Sequence, residues 1–269
     1  MIKVASLLEE ARVAVKVFEC DGHERRWSED EPVTDFMLML VQSGSFRRRV
    51  QGIDALVDPL VAYIELPGTC HQVCHPSGGD VCTGLWLSDV AMGSLVDPSR
   101  VRPGSLLYIE SAAYLAHRLL LKGLRETADR EQSLERCLLL AGILLVGREE
   151  QQFKSDEWLH IADHVREALR ADPELSLMEI ARLMGTSMYR ISKVFRSVTG
   201  ETFSRYRLKL RCQLALDRLT AGETSLARLA ADTGFSDQAH MTRTLRQQLN
   251  ATPRRLRELV AIAVRKRPD

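Results

Sequence analysis

The C-terminal third of the chain is written twice, and that duplication limits what it can fold into. LSLMEIARLMGTSMYRISKVFRSVTGETFSRYR begins at Leu175, and TSLARLAADTGFSDQAHMTRTLRQQLNATPRRLR begins at Thr224. Ser176, Leu177, Ala181 and Gly185 match Ser225, Leu226, Ala230 and Gly234 at an offset of 49 residues. After one extra residue in the turn, Phe195, Gly200, Thr202 and Arg207 match Leu245, Asn250, Thr252 and Arg257 at an offset of 50. Each copy opens on a serine able to cap a helix. Each then carries a small alanine where two helices can cross closely. Each turns at a glycine, which tolerates backbone shapes that other residues resist. Helix, glycine turn and helix make the helix-turn-helix unit.

The second helix of each copy has one apolar stripe and one donor-rich face. Ile191 and Phe195, and then Met241 and Leu245, stand four residues apart on the stripe. Tyr189, Arg190, Ser192, Lys193 and Arg196 face outward in the first copy. Gln238, His240, Thr242, Arg243 and Arg246 are their counterparts, behind the capping pair Ser236 and Asp237. A major groove admits a helix, and base edges and phosphates offer mostly acceptors to such donors. A single helix of this kind reads equally well as a solvated face. Two copies with matching anchors, turns and basic residues point to double-stranded DNA.

Charge agrees with that assignment. The formal net charge of +1 is the sum of an acidic and a basic part. Residues 1–156 hold 17 basic and 23 acidic side chains, whereas residues 157–269 hold 20 basic and 13 acidic ones. The expected polyanion partner therefore belongs to the C-terminal part. No run of about 18 apolar residues spans a membrane. Glu9, Glu10 and Arg12 interrupt any signal-peptide core. A cytoplasmic protein without membrane contact is expected, and its six cysteines fit reduced thiols.

From residue 8 to about 95 the chain reads as strands and turns, as in a small antiparallel barrel or sandwich. ARVAVKVFEC and DFMLMLV are short apolar or alternating runs, and LVAYIELPGTCHQVCHP reads as two strands joined at Pro67–Gly68. The period then becomes helical. Leu106, Ile109, Ala113, Ala116, Leu120 and Leu124 form one stripe, and Leu134, Leu138, Ala141 and Leu145 a second. These two helices, at about 104–147, serve equally well as internal core or as a homodimer interface. GREEQQFKSDEW is polar and reads as a linker, after which a helix carries Trp158, Ile161, Val165 and Leu169. The expected division is 1–147, a linker at 148–157, and a helical domain at 158–262.

From about residue 160 to 260 the sequence resembles the DNA-binding domain of the AraC family of bacterial transcriptional regulators. IARLMGTSMYRISKVFRSVTGETFSRYR, RCQLALDRL and LARLAADTGFSDQAHMTRTLRQQLNATPRRLR carry the resemblance. The family usually has Phe at Met241 and Leu245, Gly at Asn250 and Tyr at Leu256. These departures keep apolar anchors apolar, and Asn tolerates the left-handed conformation, but they predict a looser second motif. The resemblance implies an α+β chain: a cupin-like effector and dimerisation barrel with two amphipathic helices, then two helix-turn-helix motifs joined by one long helix. That helix is TFSRYRLKLRCQLALDRLT, with Phe203, Tyr206, Leu210 and Leu214 as its buried stripe. It would hold two reading helices about 34 Å apart, one turn of DNA. Carried over by position, Tyr189, Ser192, Lys193, Gln238, Thr242 and Arg243 read bases, while Arg196 and Arg246 hold phosphate. RNA polymerase is the further partner that such a regulator implies.

Effector candidates in the N-terminal part are Tyr63, His71 and Trp86, each with ring surface and a hydrogen-bonding tip. The segment CHQVCHP invites a metal reading for Cys70, His71, Cys74 and His75. In a strand, however, side chains alternate and positions four apart are about 13 Å apart. One tetrahedral zinc with bonds of about 2.0–2.3 Å cannot be shared over that distance. A metal would need another strand's ligand, such as Cys82 or His23, and no metal or cofactor is assigned. Two alternatives remain open. One is a cupin-type metal-binding enzyme with a DNA-binding appendage, for which the strand region offers only His23, His71 and His75. The other is a regulator sensing metal or oxidant through Cys70, Cys74 and Cys82. The leading expectation is a non-enzymatic regulator answering a small-molecule effector.

Overall fold

The structure, a computed structural model, describes residues 2–22, 26–95, 101–126, 129–146 and 155–260. His23 and most of the expected linker lie outside the described residues. Among the described residues the strands are β1 (Ile2–Glu9), β2 (Val13–Cys20), β3 (Glu31–Pro32), β4 (Met37–Ser43), β5 (Phe46–Val50), β6 (Ile53–Val57), β7 (Val61–Glu65), β8 (Cys70–Cys74), β9 (Asp80–Leu87) and, after one short helix, β10 (Leu106–Tyr108). They form a six-stranded sheet, ordered β1-β2-β9-β4-β7-β10, and a four-stranded sheet, ordered β3-β8-β5-β6. The described pairings are antiparallel. Val50 pairs with Ile53, so only Gln51 and Gly52 make the turn, at φ 49° and 82°. Positive φ at both central positions matches the twist of a two-residue hairpin, which is why glycine follows Gln51. The two strands expected on either side of Pro67–Gly68 are β7 and β8, and they belong to different sheets.

Strand alternation gives the large sheet two apolar faces. Val13, Val15, Leu38, Leu40, Ala62, Ile64, Leu85 and Leu87 point to the helical side. Met39, Val41, Tyr63 and Cys82 point the other way, toward Phe46, Ala55 and Val57 of the small sheet. A half-turn per residue produces this partition directly.

The helices are α1 (Asp89–Gly93), α2 (Ser111–Glu126), α3 (Arg130–Leu145), α4 (Asp156–Ala171), α5 (Leu177–Leu183), α6 (Met188–Thr199), α7 (Phe203–Thr220), α8 (Leu226–Asp232), α9 (Gln238–Leu249) and α10 (Pro253–Val260). Four sequence readings are corrected. Leu106 does not begin a helix: residues 106–108 pair with β7, and α2 starts at Ser111. β1 precedes the expected start of the strand region, and α1 interrupts its end. Leu138 is 40% exposed; the buried seam of α3 runs through Ser133, Cys137, Leu140, Ala141, Leu144 and Leu145. Leu214 is only half-buried, and Cys212, Ala215, Leu216 and Leu219 form the buried stripe in that half of α7.

Both cores run across the expected domain boundary. Phe195, Phe203, Tyr206 and Leu210 share one cluster with Val57, Leu60 and Tyr108. Cys212, Leu216, Met241, Leu245 and Leu256 share the other with Leu40, Tyr114 and Leu140. α7 thus serves the first helical unit with its N-terminal half and the second with its C-terminal half.

Candidate nucleic-acid interface

The two repeat copies fold alike for local reasons. Ser176 caps α5 and Ser225 caps α8. Gly185 and Gly234 make the turns at φ 61° and 75°. Ser187 then caps α6, and Asp237 caps α9, its carboxylate accepting the His240 N–H at 2.7 Å. α6 ends at Gly200 with φ 78°, and α9 ends at Asn250 with φ 52°. Left-handed termination is easy for glycine and available to asparagine, so the substitution between copies keeps the same exit. Thr202 and Thr252 accept the N–H of Arg205 and Arg255, each at 3.3 Å, and start α7 and α10.

An equivalent pair of arginines closes each unit. Arg207 donates to Leu175 O at 3.0 Å, and Arg257 donates to Glu223 O at 3.0 Å and Thr224 O at 3.3 Å. Each guanidinium satisfies carbonyls just before the first helix of its own copy. The sequence matched these two positions without a role; the structure makes them internal fasteners.

The outer faces of α6 and α9 are open. Ile191, Phe195, Met241, Leu245 and Leu256 are all 0% exposed. The second motif, expected to be looser, is therefore as well buried as the first, because Met and Leu fill the space with flexible side chains. Tyr189 is 76% exposed, and Arg190, Ser192, Lys193 and Arg196 are exposed on the same helix. Gln238, Arg243 and Arg246 are exposed on α9, whereas His240 and Thr242 are half-buried. Neither α6 nor α9 contains an acidic residue. Two candidates have internal partners. Arg190 pairs with the Glu157 carboxylate of α4. His240 meets Ser236 Oγ at 3.0 Å and packs edge-on against Phe235, with ring centroids 5.4 Å apart.

Beneath α6 lies a buried charge network that sequence patterning did not reveal, because its members are scattered over 150 residues. Arg166 of α4 is 0% exposed. It donates to Asp58 Oδ2 at 2.7 Å, Asp163 Oδ1 at 3.1 Å, Leu56 O at 3.0 Å and Tyr206 Oη at 3.3 Å. Tyr206 in turn meets the Phe195 ring of α6 edge-on at 5.2 Å. Asp163 also accepts from Leu56 N at 2.7 Å and Arg47 at 3.3 Å. Burial pushes the Asp58 carboxyl up, but Arg166 and Arg170 outweigh it and hold it below the usual carboxylate range. For Asp163 burial wins over Arg166, and its carboxyl rises. Geometry therefore makes Asp58 the firmer counter-ion.

The effector candidates lie in the N-terminal sheets. Tyr63 is 4% exposed, with the Arg48 guanidinium 4.5 Å above its ring. Arg48 donates to Glu65 at 2.6 Å, and His71 Nδ1 lies 3.4 Å from the same carboxylate. Trp86 pairs across Met37 with the position of Glu65, so it shares that sheet face, and it is half-buried. Tyr63 and His71 thus meet around Arg48–Glu65, with Trp86 one strand beyond Met37. Arg48 and Glu65 are the residues that the sequence reading missed here. Within CHQVCHP, Cys70 is exposed and Cys74 buried, and His71 and His75 have separate carboxylate partners.

Comparison with known proteins places the helical region. A family model described as a helix-turn-helix domain matches residues 180–259. The probable transcription factor PqrA of Proteus vulgaris is 29% identical over 102 residues, 38% of this chain and 79% of PqrA. The regulatory protein SoxS of Escherichia coli strain K12 is 30% identical over 82 residues, 30% of this chain and 77% of SoxS. The crystal structure of ToxT from Vibrio cholerae O395 aligns over 93% of this chain and 99% of ToxT, at 14% identity and a TM-score of 0.39. With 30% identity across most of SoxS, and both helix-turn-helix units folded as the repeat requires, the chain belongs to the AraC family of bacterial transcriptional regulators.

Proposed function

We propose that this DNA-binding transcriptional regulator reads its promoter with α6 and α9 in successive major-groove segments on one face of the duplex. The observation that supports this most is the equivalence of two acid-free, donor-bearing faces on either side of α7. At about 1.5 Å per residue, the 18 residues of α7 span about 27 Å, close to one helical turn of DNA. Tyr189, Ser192, Lys193, Gln238, Thr242 and Arg243 are assigned to base edges, and Arg196 and Arg246 to phosphates. Arg190 and His240 make a smaller contribution, since each already has an internal partner. Titrating the full-length chain against its own promoter and against random DNA tests this at a stated salt concentration. Equal affinity for the two would contradict it.

The N-terminal sheets are proposed to hold a small-molecule effector near Tyr63, His71 and Trp86, with Arg48 and Glu65 as the polar pair. Its binding would bias the placement of the reading helices through β6, Asp58, Arg166 and Tyr206, which form one bonded path to the core of α6. An effector acts this way only by binding one arrangement better than another; about 1.4 kcal/mol of difference shifts the ratio tenfold. Homodimerisation is assigned to α3. α2 is engaged on both sides, by the large sheet and by α7, with Arg118 joining Gln42 O to Asp217. α3 instead exposes Leu138, Leu139 and Ile143, with Val146 just beyond its end. Sedimentation of the full-length protein tests this, and Leu139→Glu should shift the equilibrium toward monomer.

A further inference from the structure

The turn between β8 and β9 folds back onto the end of β2, and the contact is backbone against backbone. A Cβ on Gly79 would lie 2.3 Å from Cys20 O, one on Gly22 would lie 2.3 Å from Gly78 C, and one on Gly44 would lie 2.4 Å from Gly79 O. Only glycines allow this closeness. It brings together three side chains from distant parts of the sequence. Cys20 and Asp80 are cross-strand partners, and His75 leans over them from the start of the turn. Their ligand atoms lie within 4.8 Å of one another. We propose that Cys20, His75 and Asp80 form a binding site for one divalent cation of zinc type.

The chemistry of the three groups favours such an ion over a plain ion pair. One thiolate, one imidazole and one carboxylate form a donor set suited to zinc, and the two anionic ligands neutralise its charge. Asp80 is 6% exposed. Its Oδ1 lies 2.8 Å from His75 Nε2, an ion-pair contact without hydrogen-bond alignment. A metal ion held by the three groups would engage that oxygen directly. The other oxygen, Oδ2, accepts from the Cys82 thiol at 3.1 Å. That contact orients the carboxylate and leaves Oδ1 turned toward His75. The Phe46 ring, 5.6 Å from the His75 ring and tilted by 31°, limits how the imidazole can turn. Tetrahedral bonds of about 2.0–2.3 Å put ligand atoms about 3.3–3.8 Å apart. Cys20 Sγ stands 4.0 Å from His75 Nδ1, the ring nitrogen an ion would take, and the Asp80 carboxylate must swing from the Nε2 side to join them. With three protein ligands, a fourth position is left for water or a small anion.

The test uses reduced, untagged, full-length protein and zinc as the probe, titrated against a chromophoric chelator. One zinc per chain is expected, with saturating zinc raising the melting temperature. Cys20→Ser and Asp80→Asn should each weaken binding about tenfold or more and abolish that rise, while Cys70→Ser changes neither. Cobalt substitution should give thiolate charge-transfer absorption that is lost in Cys20→Ser. If Asp80→Asn fails to fold, His75→Gln takes its place. No zinc retained against the chelator, or zinc held equally well by Cys20→Ser and Asp80→Asn or its replacement, overturns the proposal.

Discussion

Arg166 is a guanidinium with no exposure, so the free energy of this region depends on its carboxylates. Removing one partner of a buried pair leaves an uncompensated charge. Asp58→Asn should therefore cost about 3–5 kcal/mol of stability by urea denaturation. Asp163→Asn should cost about 1–2 kcal/mol, because burial already disfavours its ionised form and an amide oxygen still accepts Leu56 N–H. Equal losses would show that the asymmetry between the two carboxyls is wrong. A second residue fixes an acid limit. Burial, then Arg118, lowers the His117 imidazole from 6.5 to about 3, and it shares a 2.8 Å hydrogen bond with Thr83. The unfolded chain takes up this proton first, so its contribution is complete above about pH 6.5 and is lost as pH falls toward 3. His117→Gln should flatten the stability profile by about 2 kcal/mol between pH 7 and pH 5, whatever its cost at neutral pH.

Among the elements, each of the two proposed reading helices carries residues assigned to phosphates and residues assigned to bases, and the two kinds predict different losses. Arg196→Ala should weaken binding to every DNA sequence and reduce the salt slope by about 1, as a lost phosphate contact does. Gln238→Ala should instead relax preference at one position, at a cost of about 1–3 kcal/mol on the best site. The helix exits give a stability check. Asn250→Gly should be neutral or stabilising, because glycine has no Cβ to crowd at φ 52°, whereas Asn250→Ala should cost about 1 kcal/mol, because alanine keeps the Cβ but loses the short polar side chain that lets asparagine adopt this conformation. The repeat was legible at this scale because its signals are local: serine caps, turn glycines and anchors four apart. Leu106 misled because it continues a helical period while its backbone pairs with β7. Leu138 misled because it alone of its expected stripe turns to solvent, while Ala141 and Leu145 are buried. Long-range partners such as Asp58 with Arg166, or Cys20 with Asp80, leave no periodic trace in a single sequence.

At the scale of the whole molecule, the two regions are not independent bodies joined by a tether. Tyr206 packs with Leu60 and Tyr108, and Met241 belongs to one cluster with Leu40 and Leu140. Charge asymmetry and the change of period located the two regions, but neither could show that their cores are shared. Among the described residues, no helix is long and apolar enough to cross a membrane. The central claim is that α6 and α9 both read DNA, one turn apart. Selection of binding sites from random duplexes by the full-length protein tests it most directly, in parallel with a variant carrying Gln238→Ala, Thr242→Ala and Arg243→Ala. Two sequence elements spaced by about 10–10.5 base pairs are expected in the wild type. The variant should lose one element and keep the other. A single element in the wild type, or loss of both in a variant that remains folded, would contradict it.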